Sequence, residues 1–297
     1  MPSPASHSEA DPLTPVRPDN RPPPSTDTLH AEIGGTRAEN PVLLLHGWGS
    51  NTGLMRPLAE RLSPFCETHN VDLPGHGHSP LPAIPLDVPD HARLVADYIR
   101  NRMRGGPVTL VGHSNGGRIG LYMAAQPEYQ PLFERLILIS PSGITPLRGT
   151  RFRLKRLIAR ALRAPARILP HAAAEFFNDW ITHSLAWRAL GSSDYNALTG
   201  VMRDTFVKTV NFHVGDMVGQ IKCPVLVLWG DRDSAVSLRQ MQVLEERIPD
   251  CGLIILDGAG HYGHLDALDT VAAACQAMIT TGGTSRPVAG TPSANAL

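Results

Sequence analysis

The chain is poor in cysteine, and its charges cancel. Its four cysteines lie far apart, with no Cys-x-x-Cys pair and no Cys/His spacing of the zinc-binding type, so neither a disulfide scaffold nor a structural zinc site is expected. Isolated thiols of this kind are typical of a reducing compartment. The 27 basic and 27 acidic side chains give no net charge, and a general attraction to nucleic acid is therefore not expected.

Long apolar runs are also missing. No stretch approaches the roughly 20 apolar residues of a membrane span, and the N-terminus has neither the charged start nor the apolar run of a secretory signal peptide. We therefore expect a cytoplasmic protein without a transmembrane segment. With 42% apolar and 18% charged residues, the chain has the composition of a folded protein, which excludes the disordered and collagen-like classes.

The two ends of the chain differ in composition from the middle. Residues 1–27 contain eight prolines among Ser, Asp and His, with almost no apolar side chain to bury. Residues 282–297 consist mainly of Gly, Thr, Ser, Pro and Ala. Neither composition supports a packed core, so we predict a disordered Pro-rich arm at one end and a disordered tail at the other.

Between the two ends, short apolar runs alternate with longer segments of helical periodicity. This alternation is typical of an α/β protein with a mostly parallel, doubly wound sheet that helices cover on both faces. We assign residues 28–142 and 222–281 to this core. The predicted strands are Leu29–Ile33, Val42–Leu45, Cys66–Asp72, Val108–Val111, Leu136–Ile139, Val225–Trp229 and Leu253–Leu256, and the predicted helices are Gly53–Leu62, Pro89–Met103, Asn115–Ala125, Leu238–Arg247 and Ala267–Ile279.

Residues 143–221 interrupt the alternation. The segment is too long for one crossover and shows helical patterns without a strand, so we predict an inserted helical cap. Its first part, Arg148–His171, carries eight Lys and Arg side chains and no acidic one, and several of the arginines share one helix face. This basic helix is a solvated face, a docking site for an anionic carrier, or an interfacial lid on a lipid surface.

The strand Val108–Val111 leads directly into a G-x-S-x-G turn and then into a helix. In this context the serine, Ser114, lies at a strained corner that lifts its hydroxyl above the sheet. Side chains two positions away on either side would collide, which explains Gly112 and Gly116. The helix that follows points its N-terminus, with the Asn115 amide, at the place where an oxyanion would form. We predict that Ser114 is a nucleophile.

A second oxyanion donor is predicted at the end of the first long strand. Residues 46–49 read His-Gly-Trp-Gly, and the two glycines allow the backbone to turn toward Ser114. The Trp48 amide would then face the oxyanion together with the Asn115 amide. The Trp48 side chain either lines the acyl pocket or only packs.

A serine hydroxyl needs a neighbouring base, and the base needs an orienting carboxylate. Both must come from strand ends further along the chain. Asp231 and Asp233 follow the strand that ends at Trp229, and His261 and His264 follow the next strand. The chain order Ser, Asp, His occurs in one serine-hydrolase fold, but spacing does not decide between the members of either pair.

These motifs resemble the α/β-hydrolase superfamily over roughly residues 40–280. In similar enzymes the acid stands three residues after the glycine that ends its strand, which favours Asp233, and the histidine follows a Gly-x-Gly turn, which favours His261. The resemblance therefore implies an α/β-hydrolase fold with a cap and a catalytic triad of Ser114, Asp233 and His261. The matching motifs are His46-Gly47-Trp48-Gly49, Asp72 to Ser79, Gly112 to Gly116, Gly230 to Asp233, and Gly260-His261.

The same resemblance implies a serine hydrolase that cleaves a carboxylic ester or thioester through an acyl-enzyme. Epoxide hydrolases and haloalkane dehalogenases of this fold use an aspartate nucleophile, so their chemistry is not expected with Ser114. C–C hydrolases of ring-cleavage products use a similar triad, but Trp48 and Tyr262 depart from the residues usual in those enzymes. Acyl transfer to another acceptor, peroxide included, is a further alternative. An alternative of another class is a ligand receptor that retains the hydrolase fold.

Most of the other histidines are expected to have structural roles. His46 and His113 stand beside the oxyanion loop and the nucleophile, where a histidine more often hydrogen-bonds to backbone than reacts. His113 is also a candidate for the substrate pocket, together with Tyr262. His76 and His78 belong to a turn that looks structural in this family, so we expect no metal, and no cofactor is implied. The expected partner is a small ester substrate, and no oligomeric state is predicted.

Overall fold

The structural core is a mostly parallel sheet with helices on both faces. The computed structural model describes residues 29–35, 41–104, 106–145 and 199–281. Its strands are β1 Ala31–Gly34, β2 Val42–Leu45, β3 Thr68–Val71, β4 Val108–His113, β5 Phe133–Ile139, β6 Val225–Gly230 and β7 Cys251–Leu256. Its helices are α1 Thr52–Leu62, α2 Val88–Arg102, α3 Asn115–Ala125, α4 Gly200–Val210, α5 Leu238–Arg247, α6 Gly263–Asp266 and α7 Leu268–Thr281.

The strands lie in the order β1-β3-β2-β4-β5-β6-β7. β1 runs antiparallel to β3, and every other neighbouring pair is parallel. Because parallel strands end at the same edge, the loops that follow β2, β4, β6 and β7 converge there. These are the loops to which the sequence assigned the candidate catalytic groups.

Alternation along each strand divides the core between the two faces of the sheet. In β2, Leu43 and Leu45 pack on the face that α2, α3 and α5 cover, whereas Val42 and Leu44 pack on the face that α1 and α7 cover. All four side chains are fully buried. Helices on both faces require apolar residues at consecutive positions of a strand, which is why the strands appear as uninterrupted apolar runs.

The predicted strands and helices are all present, with ends that differ from the prediction by three residues or fewer. The largest difference is at β5, which begins at Phe133 rather than Leu136. The short helix α6 was not predicted. Within the described residues, no helix is both long and apolar enough to cross a membrane.

The structure describes only the two ends of the predicted cap, 143–145 and 199–221. These residues contain α4 and a 3-10 turn at Val218–Gln220, and they contain no strand. The basic segment Arg148–His171 lies outside the described residues, as do the predicted arm and tail, 1–27 and 282–297. The cap and the two disordered ends therefore stay predictions.

Candidate active site

Ser114 occupies the corner between β4 and α3. Its backbone has φ 48° and ψ −104°, a conformation that L residues rarely adopt. A Cβ on Gly112 would stand 2.7 Å from the Gly117 nitrogen, and a Cβ on Gly116 would stand 2.2 Å from the Leu45 carbonyl oxygen. The steric reason for both glycines that the sequence suggested is confirmed. The serine side chain makes no capping bond to α3, so its hydroxyl is available to another partner.

That partner is His261. The Ser114 Oγ lies 3.1 Å from His261 Nε2, and His261 Nδ1 lies 2.9 Å from Asp233 Oδ2. The structure thus brings together the nucleophile, base and acid predicted from three separate strand ends. The alternatives lie outside this relay, since Asp231 is exposed and His264 is fully buried. Burial also lowers the pKa of His264 to about 4.

Asp233 is held as a buried carboxylate. Its Oδ1 accepts hydrogen bonds from the backbone N–H groups of Ala235, at 2.7 Å, and Val236, at 3.0 Å. Burial of the side chain acts to raise the pKa of Asp233, but the hydrogen bonds from His261, Val236 and Ala235 outweigh it and the pKa lies below its usual value. The ionised carboxylate keeps a proton on His261 Nδ1, which leaves the lone pair of Nε2 facing Ser114.

His113 contacts the backbone of His261. Its Nε2 lies 3.0 Å from the His261 carbonyl oxygen, and only 2% of the residue is exposed. Burial, with His264 and His261 adding to it, lowers the pKa of His113 well below its ordinary value. The ring is therefore neutral and donates through Nε2–H. Tyr262, the other residue placed in the substrate pocket, is 43% exposed, and its ring lies 5.2 Å from that of His113.

The predicted oxyanion loop lies directly against the elbow. A Cβ on Gly47 would stand 3.2 Å from the Ser114 Cβ, and the Gly116 amide donates to the His46 carbonyl oxygen at 3.1 Å. Among the described residues, neither the Trp48 amide nor the Asn115 amide donates to another backbone group. Asn115 is the first residue of α3, where a helix leaves its N–H groups unpaired. The two amides are thus available for an oxyanion.

His46 connects this loop to the turn that follows β3. Its Nδ1 donates to the Gly47 carbonyl oxygen at 2.7 Å, and its Nε2 accepts from the Leu73 amide at 2.9 Å. Burial lowers the pKa of His46 to about 4, so the ring stays neutral. The expectation that His46 bonds to backbone is confirmed.

Phe206 is a residue near the site that the sequence argument missed. It lies on α4, and its ring centroid is 5.1 Å from that of Trp48. His76 packs on Trp48 at 4.9 Å. An aromatic residue within a long helical segment carries no local signal for such a contact, because the partner lies 158 positions earlier in the chain.

Comparison with known proteins shows the fold and the family of this chain. Residues 42–274 match the alpha/beta hydrolase family. A pimeloyl-[acyl-carrier protein] methyl ester esterase of Xanthomonas campestris is 28% identical over 272 residues, which cover 84% of this chain and 98% of the relative.

Solved structures share the fold at lower identity. An esterase from Exiguobacterium antarcticum is 19% identical with a TM-score of 0.62, over 84% of this chain and 95% of its own. A meta-cleavage product hydrolase from Pseudomonas fluorescens is 15% identical with a TM-score of 0.62, over 86% and 95% of the two chains. With the family match covering most of its length, the chain belongs to the alpha/beta hydrolase family.

Proposed function

We propose that this chain is a serine hydrolase that cleaves carboxylic esters or thioesters through a covalent acyl-enzyme. The observation that carries the proposal is the continuous relay from the strained Ser114 through His261 to the buried Asp233. A hydroxyl within 3.1 Å of an imidazole whose other nitrogen is held by a carboxylate is the arrangement that activates a serine. The esterase among the relatives supports the same reaction class.

In the first half of the reaction, Ser114 Oγ attacks the acyl carbon of the ester. His261 Nε2 takes the hydroxyl proton, and the carbonyl electron pair moves to the oxygen. The amides of Trp48 and Asn115 bind the resulting oxyanion, and each such donor lowers the barrier by about 3 kcal/mol. The C–O bond to the leaving group then breaks, and His261 returns the proton to the departing alcohol.

In the second half, water repeats these steps on the acyl-enzyme. His261 removes a proton from the water, whose oxygen attacks the same acyl carbon. The bond to Ser114 Oγ breaks, and His261 gives the proton back to the serine. The acid leaves, and the side chains return to their starting state. Throughout, Asp233 stabilises the imidazolium and holds the ring in position without taking the proton itself.

The proposal extends to the kind of acyl group that the chain cleaves and to the carrier that bears it. The Xanthomonas campestris relative is named for a methyl ester on an acyl-carrier protein. The predicted basic segment, Arg148–His171, is the part of the cap that would dock an anionic carrier. Hydrolysis of C–C bonds and acyl transfer to another acceptor use the same triad, and a ring-cleavage product in the substrate panel tests the first of them.

The decisive experiment measures hydrolysis of a substrate panel by the wild-type chain and by Ser114→Ala. The panel contains p-nitrophenyl esters of increasing acyl length, thioesters, a carrier-bound methyl ester and a ring-cleavage product. We expect ester turnover by the wild-type chain and a loss of about 10⁶-fold in kcat in Ser114→Ala. Wild-type activity on the ring-cleavage product alone would instead identify a C–C hydrolase.

Ser140→Ala is the matched control. Ser140 lies just after β5, has φ 45°, is buried, and its hydroxyl has no partner among the described residues. We expect it to keep its activity within a few-fold of the wild-type value. A fluorophosphonate should label the wild-type chain and Ser140→Ala but not Ser114→Ala. Labelling of Ser114 without turnover of any substrate would indicate a binding protein, and equal turnover in Ser114→Ala would overturn the proposal.

A further inference from the structure

Outside the candidate active site, two histidine side chains approach one oxygen of a buried carboxylate. Asp72, just after β3, places Oδ2 at 2.9 Å from His30 Nδ1 and at 3.7 Å from His78 Nδ1. All three potential ligand atoms lie within 4.8 Å of one another. His30 directly precedes β1, so the cluster joins the edge strand of the sheet to the turn that follows the neighbouring strand.

The carboxylate at the centre of the cluster is held rigidly. The Asp72 side chain is fully buried, its Oδ1 accepts from the Thr52 amide at 2.6 Å, and its Oδ2 accepts from the His78 amide at 2.9 Å. A Cβ on Gly77 would stand 2.2 Å from Oδ2, so only glycine lets the turn wrap so closely around the group. These contacts fix the oxygen toward the two imidazole rings before any ligand binds.

The donor set selects a class of cation. Two imidazole nitrogens and one carboxylate oxygen suit Zn²⁺ and neighbouring transition metals, whereas Ca²⁺ and Mg²⁺ prefer sites made of oxygen alone. In a tetrahedral zinc site with bonds of about 2.0–2.1 Å, donor atoms stand about 3.3 Å apart. The distances of 2.9 Å and 3.7 Å from Asp72 Oδ2 to the two nitrogens lie on either side of that value.

We propose that His30, Asp72 and His78 bind one divalent transition-metal ion, with Zn²⁺ as the reference ion. On binding, His30 changes tautomer: the proton that Nδ1 directs at Asp72 leaves to solvent, Nε2 takes up a proton from solvent, and the Nδ1 lone pair of the neutral ring coordinates the metal. Water completes the coordination on the exposed side, where 78% of the His78 side chain is accessible. The ion links the residue before β1 to the turn after β3. This structural role is independent of the proposed ester hydrolysis.

His76, the other histidine of the turn that follows β3, does not reach this carboxylate oxygen. His76 Nδ1 lies 3.0 Å from the Pro74 carbonyl oxygen, and its ring packs on Trp48. His30, 42 positions before Asp72, takes its place. The expectation of no metal took into account only histidines close together in the sequence, and His30 is remote from them.

Calorimetric titration of the metal-free full-length chain with ZnCl₂ tests the proposal. We expect saturation at one equivalent, with an affinity that His30→Ala and His78→Ala each lower by about tenfold or more. His78→Gln is a second variant that keeps a polar side chain at this exposed position. His213→Ala removes a histidine outside the cluster and should bind Zn²⁺ as the wild type does. Titration of His261→Ala with ZnCl₂ should give the same affinity as the wild type, because His261 belongs to the candidate active site and not to this cluster.

A spectroscopic readout separates coordination from a general effect on folding. Co²⁺ in the wild-type chain and in His213→Ala should give visible absorption bands of an ion with nitrogen ligands and low coordination number. His78→Gln should lack these bands while it keeps the far-UV circular dichroism of the wild type. Absence of saturable Zn²⁺ binding, or equal affinity in the wild type, His30→Ala and His78→Gln, would overturn the proposal.

Discussion

At the residue scale, the candidate site depends on two hydrogen bonds to His261, one to its ring and one to its backbone. Asp233 accepts from the ring of His261, and His113 donates to the His261 carbonyl oxygen. Because His113 is neutral and buried, its donor hydrogen is directed at that carbonyl and at nothing in solvent. We therefore interpret His113 as a positioning residue for His261 rather than as part of the acyl pocket.

Replacement of His113 by Phe tests this interpretation. The substitution keeps a ring in the same space but removes the hydrogen bond to the backbone of His261, so the imidazole should shift relative to Ser114. A displacement of about 1 Å in such a site costs up to about 10²-fold, and we expect kcat to fall by about 10–100-fold with little change in KM. Steady-state kinetics on the p-nitrophenyl esters measures both values.

His91→Phe is the control for this variant, since His91 is a buried histidine on α2 that takes no part in the relay. It should leave kcat near the wild-type value. If His113→Phe changed KM in a way that depended on acyl length and left kcat unchanged, His113 would instead contact the substrate.

At the element scale, α4 attaches the C-terminal end of the predicted cap to the core. Thr205 Oγ1 accepts from the Leu86 amide at 3.1 Å and donates to the Val201 carbonyl oxygen at 2.8 Å. The Thr209 carbonyl oxygen, one turn later, accepts from the guanidinium of Arg118 on α3. α4 is thus bonded both to the segment that precedes α2 and to the helix that follows Ser114.

Thr205→Val tests how strongly the first of these bonds holds α4. The substitution is nearly isosteric, but it leaves the Leu86 N–H without its acceptor at a fully buried position. A buried donor that loses its partner costs about 1–3 kcal/mol, so we expect a decrease of that size in the free energy of unfolding. Urea denaturation followed by circular dichroism measures it.

Thr209→Val provides the comparison on the same helix. Thr209 is equally buried, but its Oγ1 has no partner among the described residues, so removal of the hydroxyl breaks no hydrogen bond. We expect a change within about 0.5 kcal/mol of the wild type or a small gain in stability. Equal destabilisation by both variants would show that the Thr205 hydrogen bond does not anchor α4.

At the scale of the whole molecule, buried neutral histidines couple folding to pH. Burial lowers the pKa of His46, His91 and His264 to about 4, and that of His113 lies well below its ordinary value. In the unfolded chain these side chains titrate near pH 6.5. Because the acidic and basic side chains balance overall, the acid response is expected to come from such groups rather than from general repulsion.

We expect the protein to lose stability as the pH falls from about 6.5 toward 4. In that range the unfolded chain binds protons that the folded chain excludes, so the free energy of unfolding decreases by about 1.4 kcal/mol per pH unit for each buried histidine. Asp72 and Asp233 act in a lower range, since their depressed folded pKa values add stability that is lost only below about pH 4. Urea denaturation at pH 7, 6 and 5 measures the slope.

In His91→Phe, unfolding should take up about one proton fewer, so the slope should fall by about 1.4 kcal/mol per pH unit. This change is independent of the effect of the substitution on stability at pH 7. A variant that removes no titratable group, Ser140→Ala, should leave the slope unchanged. A pH-independent free energy of unfolding between pH 7 and 5 would show that these histidines can be protonated in the folded state.

The local features of the protein could be predicted from its sequence. The run Val42–Leu45 is a strand because consecutive apolar side chains are buried on both faces of a sheet, and the corner at Ser114 requires glycine on both sides because two backbones approach closely there. The apolar run and the close approach of Gly112 to Gly117 involve residues within a few positions of one another, so the sequence itself encodes them, whereas the close approach of Gly116 to Leu45 arises only in the folded chain. Strand ends were less certain, since β5 begins three residues before the predicted start.

Contacts between distant segments required the folded chain. Spacing could not separate Asp233 from Asp231 or His261 from His264. The packing of Phe206 on Trp48 and the meeting of His30 with Asp72 and His78 left no pattern in the sequence. The physical reason is that periodicity and steric clash act between neighbours in the chain, whereas these groups meet only after the strands have paired and the loops have closed over large sequence separations.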